Sequence, residues 1–295
     1  MKLLTVFTPT FNRKNLLPRL YESLISQSNT KFIWMVIDDG STDGTEALIS
    51  KWQNEKLLEI HYFYKENEGM HSAHNWAYDR ITTPWNTCID SDDKMPNNAG
   101  QIIIDTITDL NDNSIECIVG LDSDFTGVVL GDTFPIGYDK VKINQFMKTF
   151  KITGDKKFVF TTSIMKQVEA YPLFKNEKLV PLNYKYLLAE DRIFFKPLNQ
   201  ILCNVEYQPD GSTNNMLKQY RRNPRGFAFS RLNRIKYGST FTERFKNAVH
   251  LVSSTLFSRD FASLIKTRAP FLMLLALPAG LLLNLYIRLH TTKNC

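Results

Sequence analysis

Apolar positions along the first 120 residues fall into two alternating rhythms. Short runs rich in β-branched and aromatic residues read as strands: LLTVFT at 3–8, FIWMVID at 32–38, LEIHYFY at 58–64, WNTCID at 85–90 and ECIVGL at 116–121. Between them, 14–27, 45–53, 70–80 and 97–110 space their apolar residues as amphipathic helices do. Strand and helix alternating at this interval predict an α/β fold, a mostly parallel sheet with helices on both faces. Ligands of such sheets bind beyond the carboxyl ends of the strands. The rhythm breaks near residue 122; FVFTTS at 158–163 reads as a further strand, and 170–217 mixes aromatics with acids before the turn-rich EYQPDGSTNN.

The last third has a different pattern. Residues 218–268 hold 12 basic and two acidic residues, whereas 1–217 hold 22 basic and 28 acidic, so the overall charge of +6 conceals an acidic body and a basic segment. From Ala269 to Ile287 no residue carries a formal charge, close to the roughly 20 residues that span a bilayer. Pro270, Pro278, Gly280 and Asn284 interrupt this run, which leaves open whether it spans, re-enters or lies on a membrane. A basic flank beside an apolar run is attracted to an anionic cytoplasmic leaflet, and a buried core helix is the plainer alternative. The expected organisation is a catalytic body over 1–217, a basic helical segment over 218–268 and a membrane-associated segment over 269–295.

Four cysteines without a CxxC pair argue against a disulfide scaffold or a zinc ribbon and favour a reducing compartment. A strand-like run follows Met1 directly, so no secretory leader is expected. No GxGxxG follows the first strand and no GxxxxGK[ST] occurs, which removes the main support for dinucleotide and P-loop readings.

Chemistry concentrates at the strand ends. Asp90, Asp92 and Asp93 place three carboxylates in four residues, costly unless a positive charge is held there. Magnesium or manganese with phosphate co-ligands suits such a site, against the simpler reading of a solvated turn. Asp38 and Asp39 form a second acidic turn, where one carboxylate can accept a hydrogen bond from a nucleobase and Ser41 or Thr42 can cap the next helix. His71 and His74 lack an evident third ligand and make a poor zinc pair.

In order and spacing, TPTFNR at 8–13, DDGSTDGT at 38–45, NEGMHSAHN at 67–75 and DSDD at 90–93 resemble the family 2 glycosyltransferases, the inverting GT-A type of bacterial polysaccharide synthesis. The likeness is close over about 125 residues and looser to about 228. It implies a GT-A-like sheet, a nucleotide-sugar donor, commonly a UDP-sugar, and a manganese or magnesium ion. Thr8, Pro9 and Asn12 then match the loop lining the nucleotide, and Asp39 the residue reading the base. Asn67, Gly69 and His74 match the segment near the diphosphate, although His74 stands where the family usually has Arg and lacks its permanent charge and five-donor fork. Asp90 and Asp92 match the DxD element, with Asp92 the closer metal ligand. Glu177, in NEK, is the leading candidate for general base; the Glu that relatives carry five residues further on is Leu182 here. Glu190 and Asp191 are the other candidates. The implied acceptor is a hydroxyl of a lipid-linked or growing glycan at the cytoplasmic face of the membrane.

Other readings make different demands. A nucleotidyltransferase would carry a Gly-rich basic loop after the first strand, which TPTFNR is not. A basic-tailed nucleic-acid module would interleave aromatics with its basic residues and would not need the acidic turns; nucleic acid is not expected as a partner. A catalytically inactive membrane-tethered scaffold would keep the fold while departing at positions such as His74 and Leu182.

Overall fold

The computed structural model describes residues 2–142, 150–189, 193–208, 211, 215–238 and 240–291. Five strands and four helices alternate through the first 123 residues: β1 (Leu4–Thr10), α1 (Leu17–Ile25), β2 (Phe32–Asp38), α2 (Thr45–Glu55), β3 (Ile60–Tyr64), α3 (Met70–Arg80), β4 (Trp85–Cys88), α4 (Ala99–Asp109) and β5 (Ile115–Ser123). The short β6 (Val141–Lys142), then β7 (Lys156–Thr161), α5 (Thr162–Gln167), α6 (Asn183–Ala189) and β8 (Phe194–Asn204) follow. The chain ends in helices α7 (Met216–Arg222), α8 (Pro224–Tyr237), α9 (Phe241–Ser258), α10 (Ala262–Lys266) and α11 (Pro270–His290).

Among the described residues the strands form one sheet in the order β3-β2-β1-β4-β7-β5-β8-β6. β3, β2, β1 and β4 are mutually parallel, and β5 is parallel to β8. β7 runs antiparallel between β4 and β5, and β6 antiparallel at the edge. The sheet is therefore mostly parallel, with helices packed against it, as the alternating pattern implied. β1 and β2 are buried at every position, which explains why both read as unbroken apolar runs rather than alternating ones. Leu17, Leu20 and Leu24 of α1 and Ile103 and Ile104 of α4 join Leu4, Val6, Phe32, Trp34 and Val36 in one core. Tyr21 stacks on Trp52 at 4.3 Å within it.

Two compact units emerge. Residues 1–169 and 188–207 make up the sheet unit, and 170–187 with 208–295 make up a second, largely helical unit. In the second, Ala228 and Ile235 of α8, Ala248, Leu251 and Val252 of α9, and Leu272, Met273 and Ala276 of α11 share an apolar core.

Candidate active site

Parallel pairing aligns the strand ends. Thr10 lies level with Asp38, and Phe7 with Cys88, so the turns after β1, β2, β3 and β4 emerge at one edge of the sheet. Hydrogen bonds tie these turns together. Asn12, at φ +50°, donates its N–H to Ser41 Oγ at 2.8 Å and accepts Thr42 N–H at Oδ1 at 2.8 Å; asparagine tolerates this left-handed conformation better than most residues. Lys14 N–H bonds to Asp43, whose carboxyl is held below its usual range by the bonds it accepts from Thr45 and Lys14 against the opposing effect of burial. Gly40, at φ +90°, lies against the Asn67 backbone, where a Cβ would meet Asn67 N at 2.9 Å; no larger residue fits that approach without displacement.

Both aspartates of the second turn are engaged. Asp38 accepts from Ser41 N–H at 2.7 Å and from the Tyr62 hydroxyl at 2.7 Å, which, after burial, pushes the Tyr62 phenol upward. Asp39 accepts from Lys65 Nζ at 2.7 Å and Glu68 N–H at 3.0 Å through Oδ1, and from Gly69 N–H at 2.7 Å through Oδ2. Asp39 and Lys65 are both buried, and Lys65 also pairs with Glu68 at 3.1 Å, so it is removal of Lys65 that would strand a charge, that of Asp39, at a cost of about 3–5 kcal/mol. A carboxylate has about four acceptor positions, and three are used, which leaves one on Oδ2 for a ligand donor.

Sequence-predicted nucleotide residues differ in how they are placed. Thr8 and Pro9 are buried within β1, and Thr8 Oγ1 accepts from Trp34 Nε1 at 3.0 Å, anchoring β1 to β2. His74 is buried against Phe7 at 5.0 Å between ring centroids, with Tyr78 Oη 3.3 Å from Nδ1 and Cys88 Sγ 3.8 Å from Nε2; its ring is committed to the core. Gly69 precedes α3, whose first turn has no side-chain cap. Two neighbouring side chains that sequence reasoning did not assign to the nucleotide are buried with polar atoms lacking any hydrogen-bond partner, Thr10 at Oγ1 and His71 at both ring nitrogens; Oδ1 of Asn67, which was assigned, is likewise unpartnered. Burial pushes His71 down to about 4, so it is a neutral imidazole at neutral pH. Orphaned buried polar atoms are rare, and their clustering at one edge is the mark of a ligand site.

The acidic turn after β4 occupies the same edge. Asp93 is buried, accepting from Glu206 N–H at 3.3 Å and from Cys203 Sγ at 3.7 Å, and burial with repulsion from Asp90 and Asp92 raises it to about 7. Burial and then Asp90 raise Asp92 as well, opposed by Arg13 from the turn after β1 and by Arg19 of α1. Arg19 bonds the Asp92 carbonyl and Glu206, and its guanidinium stacks over Phe125 at 4.3 Å. Asp122, at the end of β5, is buried with Oδ1 unpartnered and is raised to about 6 by burial. Beneath these carboxylates Lys157 of β7 donates to the Cys88 carbonyl at 3.3 Å. Burial alone would lower its ammonium, but the surrounding groups, among them Asp122, Asp93 and Asp90, hold it well above the ordinary lysine range. Lys157 and Asp122 carry no motif; only their positions at strand ends could have marked them.

The carboxylates of this turn are the groups through which a divalent cation could be held. No group of three or more His, Cys, Asp or Glu forms a metal-holding cluster among the described residues. Asp90 and Asp92 supply two carboxylates, the number magnesium and manganese use when phosphate oxygens and water complete the shell.

Glu177 lies in the helical unit. Its Oε1 accepts Arg225 N–H at 3.1 Å and Arg225 Nε at 2.9 Å, and Oε2 accepts Gly226 N–H at 2.9 Å. It thus satisfies the open first turn of α8 from 48 residues away. Glu190 and Asp191 lie outside the described residues.

The sequence model described as glycosyl transferase family 2 matches residues 5–170, more than half of the chain and all of the turns after β1 to β5. The chain belongs to this family. Glycosyltransferase GlyA of Streptococcus pneumoniae serotype 4 is 26% identical over 203 residues, covering 65% of this chain and 29% of GlyA. The curated relatives are matched over only 13% to 36% of their own length. Among solved structures, residues 1–349 of S. aureus TarS with UDP-GlcNAc superpose at TM-score 0.60 and 15% identity, covering 95% of this chain and 81% of that one. The mannosyltransferase PcManGT of Pyrobaculum calidifontis with GDP-Man and Mn2+ does so at 0.57 and 16%, covering 97% and 87%. These likenesses establish the GT-A-like fold.

Proposed function

We propose that the chain is an inverting glycosyltransferase that moves a sugar from a nucleoside-diphosphate donor, a UDP-sugar, to a hydroxyl of a lipid-linked or growing glycan in cell-surface polysaccharide synthesis. The observation that carries this reading is the convergence, at one sheet edge, of an acidic turn with buried side-chain polar atoms of Thr10, Asn67 and His71 that have no hydrogen-bond partner. Neutral His71 can donate to a base or ribose oxygen from one nitrogen while Asn67 Oδ1 accepts an N–H. Asp39 keeps the Glu68–Gly69 backbone in place through its hydrogen bonds and offers its last lone pair to the same ligand. The first turn of α3 has no side-chain cap, and the N-terminus of a helix suits phosphate.

Asp90 and Asp92 would hold the manganese or magnesium ion, which when bound neutralises charge on the diphosphate leaving group. The chain's own work is to orient the donor and keep the acidic turn rigid through Arg19 and Lys157. The acceptor hydroxyl attacks the anomeric carbon from the face opposite the diphosphate; the carbon–oxygen bond to phosphate breaks and the hydroxyl proton passes to a carboxylate base. With Glu177 serving as the anchor of α8, the base falls to Glu190 or Asp191. Support for a membrane-borne acceptor at the cytoplasmic face comes from the basic, apolar C-terminus. The test is sugar transfer or donor hydrolysis with and without EDTA: activity should vanish with EDTA, return with manganese and be lost in Asp92→Ala, and full transfer by Asp92→Ala would overturn the metal assignment.

A further inference from the structure

α11 carries two apolar stripes. Leu272, Met273, Ala276, Gly280, Asn284 and Ile287 form the buried one. Its partners advance together along α9: a Cβ on Gly280 would meet Val252 Cβ at 2.5 Å, Asn284 Nδ2 donates to the Ser253 carbonyl at 3.0 Å, and Arg288 stacks over Phe257 at 4.8 Å. Glycine is required at 280 because the helices touch there. Arg221 of α7 then bonds Thr291 Oγ1 at 3.0 Å just beyond the helix end. The helix is therefore fastened along its length to α9, which contains Glu243, Arg244, Lys246, Asn247 and His250 and cannot accompany it into hydrocarbon.

The opposite stripe is exposed, with nothing packed over it among the described residues. Phe271, Leu274, Leu275, Leu281, Leu282, Leu285 and Leu289 are exposed, Leu282 at 68% and Leu274 at 64%. In the helix just before, Ile265 is 82% exposed, and Phe261 precedes it at 56%. Lys266 and Arg268 lead into this face and Arg288 lies near its end, while the last acidic residue of the chain is Asp260. An apolar face of this size, with no acidic residue in the sequence after Asp260 and with Lys266, Arg268 and Arg288 along it, fits an anionic lipid surface.

We propose that α11 is an in-plane membrane anchor, lying flat at the interface with its Leu274–Leu282 stripe in the acyl boundary and its Gly280–Asn284 stripe kept on α9. This deepens the membrane-borne acceptor of the proposed function and rests on that reading only for its purpose, since lipid binding is measured without donor or acceptor.

The experiment is sedimentation of the full chain with vesicles of phosphatidylcholine alone or mixed with phosphatidylglycerol. Binding should require the anionic lipid, and Leu274→Glu with Leu282→Glu should weaken it on the order of 100-fold, because each change removes a buried aliphatic chain and adds a charge. Both positions face solvent, so thermal midpoint and nucleotide binding should match wild type. Trp introduced at Phe271 and at Leu282 should be quenched by bromolipids at equal depth, after subtraction of the wild-type signal. Spanning would separate the two by about 16 Å along the helix axis. Unequal depths, undiminished binding by the double variant, no binding at all, or light scattering showing a wild-type dimer that the variant loses would each overturn the proposal. Loss of transfer activity with vesicle binding intact would instead count against the proposed function.

Discussion

Lys157 is the internal countercharge of the acidic turn, and replacing it with methionine isolates that role. Methionine keeps most of the stem's bulk and removes the charge that faces Asp93 and Asp122, both buried, and Asp90. Breaking a buried ion pair in contact costs about 3–5 kcal/mol, an upper bound for Lys157, whose hydrogen bond goes to the Cys88 carbonyl. The low end applies here, because Asp93 at about 7 and Asp122 at about 6 can take up protons rather than stay stranded as anions. At roughly 2–4 °C per kcal/mol for a unit of this size, the midpoint should fall by about 6–12 °C at pH 8. The sign with pH follows from proton binding. In Lys157→Met the folded carboxylates titrate still further above their unfolded range, so the folded state holds protons the unfolded chain has released, and stability falls as pH rises through that window. The deficit should thus shrink at pH 5.5. The assay is thermal unfolding followed by circular dichroism at both pH values. A midpoint within about 1 °C of wild type at pH 8, or a deficit that does not shrink on acidification, would refute the countercharge argument.

Two further outcomes follow from the helical unit. Glu177→Gln keeps the side chain's shape but removes the charge and turns one of its two accepting oxygens into an NH2 donor, so one set of bonds from Arg225 or Gly226 is lost and the unit should be destabilised by about 2 kcal/mol, with per-molecule transfer within a few-fold of wild type; a general base would instead lose 10²–10⁴ in kcat at unchanged stability. His250 of α9, between Arg231 and Lys246 and against the Tyr220 ring, is pushed down to about 4 by burial and then by those two cations. Its folded state binds fewer protons than the unfolded chain, so its stability contribution is complete above about pH 6.5 and is lost as pH falls toward 4, by at most about 3 kcal/mol. His250→Gln should flatten the acid limb of a chemical-denaturation series between pH 6.5 and 4, and an unchanged limb would contradict this.

How much of the molecule was legible beforehand depends on the physical signal each part carries. Met70–Arg80 forms the helix its spacing predicts, and FIWMVID the strand, because periodicity reports local burial directly. Strand direction has no such signature: FVFT of FVFTTS lies in a strand as expected, while Thr162 and Ser163 begin α5, and nothing in the run announces that β7 runs antiparallel between β4 and β5. The same limit applies to the site. Acidic turns at strand ends are visible in sequence, whereas a lysine reads as a surface residue until the fold encloses it, as with Lys65 and Lys157. Thr8 and His74 matched a motif, yet their strand and helix positions turn them into the core, while Thr10 and His71 beside them carry the unpartnered polar atoms. Motif spacing locates a loop; which residue of it meets the ligand is decided by side-chain direction.

The central claim is that one sheet edge grips a cation and the diphosphate of a nucleotide together. A thermal-shift titration of the full chain with UDP, GDP, CDP and ADP, each with and without manganese, tests it most directly. UDP at 100 times its dissociation constant adds about 2.7 kcal/mol, which should raise the midpoint by roughly 5–10 °C with manganese present, little without it, and not at all in Asp92→Asn. Equal stabilisation of wild type and Asp92→Asn, or no nucleotide stabilising either protein, would contradict it.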